Sequence, residues 1–119
     1  MGTKNNRETG SRHESQAAVF LTERGYVILE RNYRCRTGEI DLIAKDNGYL
    51  VFIEVKYRSS GYSGDPAEAV DMKKRRRIAG AARYYLLTHG YGEDIPCRFD
   101  VVAILGDEVR VVKDAFWLS

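Results

Sequence analysis

The sequence predicts an α/β domain, a mixed β-sheet flanked by two helices in the order α-β-β-β-α-β-β. Three observations predict it. Runs of β-forming residues meet at Asn47-Gly48 and again at Gly106-Asp107, dipeptides suited to tight hairpin turns. Apolar residues recur at helical spacing in Ala17, Ala18, Leu21 and again in Ala67, Val70, Ile78, Ala81, Tyr85. A chain of 119 residues is long enough for one core, and no repeat or boundary divides 13–119.

In chain order, residues 1–12, MGTKNNRETGSR, are polar without an apolar run. They are expected to form a disordered tail and not a signal peptide, ahead of a single domain over 13–119. Ser11-x-x-Glu14 has the form of a capping box, opening a first helix of about three turns that Gly25 ends. Strands are expected over 26–34, 39–45 and 49–57. Residues 58–64 lack periodicity and read as a loop. Asp65-Pro66-x-Glu68 resembles a helix start, with Asp as N-cap and Pro at the first helical position. That helix is expected to run to His89, before Gly90. Strands over 99–105 and 108–112 close the order.

Composition excludes several classes. No apolar run has the length to span a membrane, so no membrane partner is expected. Cys35 and Cys97 form no CxxC pair and the two histidines sit near no ligand cluster, which argues against zinc and disulfide scaffolds. A reducing, cytoplasmic location is the default. The net charge of +2 identifies no partner, but five consecutive cations, Lys73 to Arg77, form one block.

The chemistry concentrates in GEIDLIAKDNGYLVFIEVK, residues 38–56. If Asn47-Gly48 are the central residues of a type I′ turn, Asp46 pairs with Tyr49, Asp41 lies opposite Glu54, and Glu39 lies opposite Lys56. Directly opposed residues bring their Cβ atoms to about 4.5–5.5 Å. Ile40, Leu42, Ile53 and Val55 then form the apolar face behind them. Two carboxylates that close raise each other's pKa unless a cation lies between them. Mg2+ prefers oxygen ligands and commonly uses one or two carboxylates plus substrate phosphates. Lys56 would project beside the metal and orient or deprotonate water, so the implied chemistry is metal-assisted phosphodiester hydrolysis. The alternative is a structural cluster in which Lys56 neutralises Glu39 and Glu54.

These residues resemble the PD-(D/E)xK nuclease superfamily, with Ile40-Asp41 in the "PD" place and Glu54-Val55-Lys56 as the "ExK" triplet. More closely, the chain resembles the uncharacterised bacterial YraN-like family. The matching pieces include Glu14-x-x-Ala17-Ala18-x-x-Leu21, Arg31-Asn32-Tyr33, Gly38-Glu39-Ile40-Asp41-Leu42-Ile43 and Arg98-Phe99-Asp100-Val101-Val102. The resemblance implies a restriction-endonuclease-like fold and a nuclease-like domain over 13–119. It also implies a nucleic-acid partner, DNA or RNA, with structured or branched substrates as in junction resolvases, and a possible homodimer. By the same resemblance Asp41 and Glu54 would hold Mg2+ or Mn2+, as one or two ions, with the Val55 carbonyl completing the site. Lys56 would be catalytic, and Glu14 would be an acid near the metal, against its plainer reading as a capping residue.

Lys74 falls within the apolar stripe of the second long helix and must snorkel out, pair with an acid, or point toward the carboxylates. Arg58, Lys73, Lys74, Arg75, Arg76 and Arg77 are the candidate phosphate contacts, against a solvated helix face. Tyr57, Tyr62 and Tyr84 could stack on bases, whereas Tyr85 fits packing. Arg98 and Asp100 read first as a structural pair.

Overall fold

The turn at Asn47-Gly48 sets the centre of the sheet. Both residues have positive φ, 51° and 83°, as a type I′ turn requires, and Asp46 pairs with Tyr49 across it. The structure, a computed structural model, describes residues 2–58, 71–92 and 94–116. Its elements are α1 (Gly2–Glu23), β1 (Val27–Cys35), β2 (Gly38–Asp46), β3 (Tyr49–Arg58), α2 (Met72–Thr88), β4 (Cys97–Leu105) and β5 (Glu108–Val112). The order is the expected one. The five strands lie side by side in sequence order. All neighbours are antiparallel except β3 and β4, which run parallel and are connected through α2.

The helices cover opposite faces of this sheet. Ala17 and Leu21 of α1 pack with Tyr26, Leu42, Ala44, Val51, Ile53, Val102 and Ile104. On the other side Ile78, Ala81, Ala82 and Tyr85 of α2 pack with Ile43, Leu50, Phe52, Val101 and Phe116. Burial on both faces explains why 50–53 is a continuous apolar run. Each large aliphatic side chain so buried contributes about 1.5–3 kcal/mol.

Three expectations change. Helix α1 extends back to Gly2, through the segment expected to be a polar tail, so position 11 lies within the helix and not at its start. No proline interrupts 2–10, and Gly10 alone costs only about 1 kcal/mol in a helix interior. At the other helix, α2 is capped by Asp71, whose carboxylate accepts the Lys74 backbone N–H at 2.8 Å. The start expected at Asp65, Pro66 and Glu68 lies outside the described residues, as do Ala67, Val70, the loop from Ser59 and Tyr62.

The third change is at Ile40. Strict alternation would place it with Leu42, yet it packs with Ile43 on the α2 face. The β1–β2 ladder explains the switch: it pairs Arg31 with Leu42 and Tyr33 with Ile40, leaving Asn32 and Asp41 between them. Asn32 has a φ of 53°, a left-handed conformation that rotates the strand at that step. Asp41 therefore sits where the sheet is locally broken.

Candidate functional site

The β2–β3 ladder runs from Asp46 and Tyr49 to Leu42 and Ile53 and ends there. The next two residues along would be Asp41 and Glu54. Instead of a backbone pair, the Asp41 carboxylate accepts the Val55 N–H at 2.8 Å. The side chain takes over the ladder's role, and the two strands part around it. Asp41 and Glu54 thus come together at this split, as the turn predicts, without being a regular cross-strand pair.

Glu54 is buried, with its Oε1 2.5 Å from Lys74 Nζ and 3.6 Å from Lys56 Nζ. Lys74 therefore pairs with an acid, one of the three outcomes its place in the apolar stripe allowed. Burial and the Glu54 charge push Asp41 up to about 7. Burial, then the adjacent Lys74 amine, pull Lys56 below its ordinary value. Burial also pulls on Lys74, but hydrogen bonds to Glu54 and Lys56 outweigh it and hold that ammonium above its usual range. The two lysines are driven apart, which is how neighbouring groups acquire different proton roles.

Glu14 reaches the same place from α1. Its Oε1 is buried without a hydrogen-bond partner among the described residues. Burial raises its pKa, Arg31 opposes that, and the nearby charges of Glu39 and Glu54 add to it. The capping reading fails, and the acid faces the cluster. Glu39 does not oppose Lys56; it pairs with Arg34 at 3.3 Å on the exposed surface. With the β2–β3 ladder ended at Leu42, nothing holds Glu39 across from β3.

The other cations divide. Lys73 and Arg77 are exposed and line a cavity beside Lys74. Arg75 turns back, its guanidinium 5.2 Å from the Phe116 ring, and Arg76 is exposed outside that cavity. Arg58 donates to its neighbour's carbonyl, Tyr57 O, at 2.8 Å. Tyr57 stacks on His13 at 4.0 Å, while Tyr84 is exposed and Tyr85 is buried in the core.

Arg98 and Asp100 form the expected structural pair, extended into a network. Arg98 donates to both Asp100 oxygens at 2.9 Å and to Asp46 at 2.7 Å. Tyr26 donates to Asp100 at 2.8 Å, and the Asp114 N–H donates to it at 2.9 Å. Asp100 is fully buried, so this network ties the hairpin turn to β4 and not to the split.

The fit of a divalent cation rests on this chain's own groups. Among the described residues no set of three or more His, Cys, Asp or Glu side chains is arranged to hold a metal. The orphaned Glu14 oxygen and the repulsion between Asp41 and Glu54 are nevertheless what an oxygen-liganded cation would relieve. The basic turn residues Arg34 and Arg36 carry a single sequence signal, the alternation RCR immediately before Thr37-Gly38.

These features define a class: small five-stranded α/β domains with an acid–lysine cluster where the second and third strands separate. Within it, the chain belongs to the uncharacterised protein family UPF0102, whose family model matches residues 13–104. This is the YraN-like family that its motifs resemble. It is 54% identical over 112 residues to a UPF0102 protein of Lachnoclostridium phytofermentans, covering 94% of this chain and 95% of that one. Similar relatives include UPF0102 proteins of Moorella thermoacetica, 47% identical with 96% and 99% coverage, and Nitrosococcus oceani, 43% identical with 92% of each.

Proposed function

We propose that this protein is a metal-dependent nuclease that hydrolyses phosphodiester bonds in structured or branched nucleic acid. The observation that carries the reading is the meeting of Asp41, Glu54 and Lys56 at the β2–β3 split, with Asp41 pushed up to about 7 by burial and Glu54. Asp41, Glu54 and the Val55 carbonyl would hold Mg2+ or Mn2+, as one or two ions. The metal would supply positive charge to activate water and to offset charge on the phosphate. Lys56, lowered by burial and Lys74, is the group suited to accept a proton from the attacking water. Glu14 offers that water an acceptor with no competing partner among the described residues. The reading includes a cytoplasmic location and a homodimer able to grip two arms of a branched substrate.

One observation favours a second reading, a non-catalytic nucleic-acid-binding module that keeps the nuclease fold: the Lys74 ammonium already neutralises Glu54. Incubating the protein with branched, single-stranded and duplex DNA and RNA in Mg2+ or Mn2+ separates the two. Cleavage abolished by Asp41→Ala and by Lys56→Ala supports the nuclease. Binding without cleavage on every substrate supports the module.

A further inference from the structure

Beside the acid cluster lies a cavity of about 310 Å3 lined by Glu39, Asp71, Lys73, Lys74, Arg77 and Ile78. A second cavity, lined by Arg34, Cys35, Arg36, Gly38, Glu39 and Arg77, adjoins it and shares Glu39 and Arg77. Together they make one groove, from the β1–β2 turn along the start of α2 to Lys74. There it meets Glu54, because Lys74 Nζ is 2.5 Å from that carboxylate.

Two of the groove's cations are already paired, Arg34 with Glu39 and Lys74 with Glu54. The Asp71 carboxylate caps α2. Among the described residues Arg36, Lys73 and Arg77 have no carboxylate partner, and all three are exposed. Small-molecule pockets of about 300–1,000 Å3 are mostly apolar. Among the described residues lining the larger cavity three are cations, Lys73, Lys74 and Arg77, which places charge at hand for an anionic ligand.

Two glycines seat the basic turn on the helix. A Cβ at Gly38 would run into the Arg77 carbonyl, and one at Gly80 would lie 2.9 Å from Thr37 Cβ. Only with both positions bare can the turn touch the backbone of α2 and bring Arg36 beside Arg77. A solvated charge run on a helix requires no such seat.

We infer that this groove is the track for one phosphodiester backbone, with Arg36 and Arg77 gripping phosphates neighbouring the one delivered to Glu54 and Lys56. The inference rests on the nucleic-acid reading above and adds the β1–β2 turn to it. Each phosphate so held displaces about one condensed counterion, giving salt-dependent binding with little sequence preference. Lys74 stands at the junction and pairs with Glu54 of the acid cluster.

The test is fluorescence-anisotropy binding of a labelled single-stranded oligodeoxynucleotide and its duplex, without divalent metal, over a series of salt concentrations. Arg36→Gln with Arg77→Gln should weaken binding about tenfold and reduce the log–log salt slope by about 1.5. Arg36→Lys with Arg77→Lys should restore most of the affinity, which excludes a folding defect. Arg83→Gln, an exposed cation of α2 outside both cavities, should change neither. Binding that resists the double Gln variant overturns the track, as does wild-type protein that binds no nucleic acid at low salt. If the double variant loses binding but wild type cleaves nothing with Mg2+ or Mn2+, the track stands and hydrolysis fails.

Discussion

Lys74 of α2 places its ammonium 2.5 Å from the buried Glu54 carboxylate of β3, closer than Lys56, which is two residues from Glu54 on the same strand at 3.6 Å. A helix on one face of the sheet thus supplies the nearer cation to an acid at its split. A cation already in place must move if another is to bind there.

Lys74→Ala should therefore act in two directions. Without metal it leaves Glu54 to Lys56 alone and lowers stability by about 1–2 kcal/mol, less than for a fully buried pair because Lys74 is over a third exposed. With that competitor gone, Mn2+ affinity by titration calorimetry should rise several-fold. Weaker Mn2+ binding in the variant would mean that Lys74 supports the metal and does not displace it.

Asp41 gives a pH dependence with a defined sign. Its folded-state value near 7 lies above the ordinary 3.8, because burial and Glu54 disfavour the anion. The folded protein then holds the proton more tightly than the unfolded chain. Its stabilising contribution is full below 3.8 and is lost as pH rises through about 7. In metal-free protein, urea stability should fall across that window by up to about 1.4 kcal/mol per pH unit from this group. Asp41→Asn should flatten that component. Mn2+ affinity of the wild type should rise over the same window, since cation and proton compete for one carboxylate.

The Arg98 network predicts stability effects alone. Arg98→Ala leaves Asp100 and Asp46 buried without their shared cation and should cost about 3–5 kcal/mol in denaturant unfolding. Tyr26→Phe removes two buried hydrogen bonds, one donated to Asp100 and one accepted from Arg98, and should cost about 1–3 kcal/mol. Metal affinity of folded Tyr26→Phe should match wild type; a large change would connect the network to the split.

Gly38→Ala tests the seat of the basic turn. Its new methyl meets the Arg77 carbonyl, a backbone atom that cannot swing aside, so overpacking of about 1–3 kcal/mol is expected. Binding to the labelled oligodeoxynucleotide should weaken as the turn lifts from α2. Thermal unfolding unchanged from wild type would show that the contact yields easily.

How far the sequence reaches depends on how local each cause is. Asn47-Gly48 carried its own register, and the pairing of Asp46 with Tyr49 followed from two residues. The meeting of Asp41 with Glu54 followed in turn by counting along the strands. The counting fails beyond Leu42, where Asp41 exchanges a ladder position for the Val55 N–H, and Glu39 is released to Arg34. That step depends on Asn32 of a different strand adopting positive φ, which no period-2 pattern announces. The Ser11–Glu14 pattern misled for a related reason: a capping signature is local, whereas the burial of Glu14 is set by α1 lying across the sheet. Lys74 stood out as a charge in an apolar stripe, but its partner could be identified only once α2 was docked.

The parallel pairing of β3 with β4 has a consequence for how the protein assembles. Asp41 and Val55 belong to one hairpin joined by a two-residue turn, so their contact needs almost no chain closure. Pairing β3 with β4 requires the whole intervening segment with α2 to be brought back, and closure entropy delays such non-local contacts. Connectivity therefore orders the events: the acids gather first, and the helix lysine joins them later. During that interval the neighbouring carboxylates lack their closest counter-charge, so refolding should be faster where Asp41 is protonated. The cluster is then a kinetic feature of the chain as well as a chemical one.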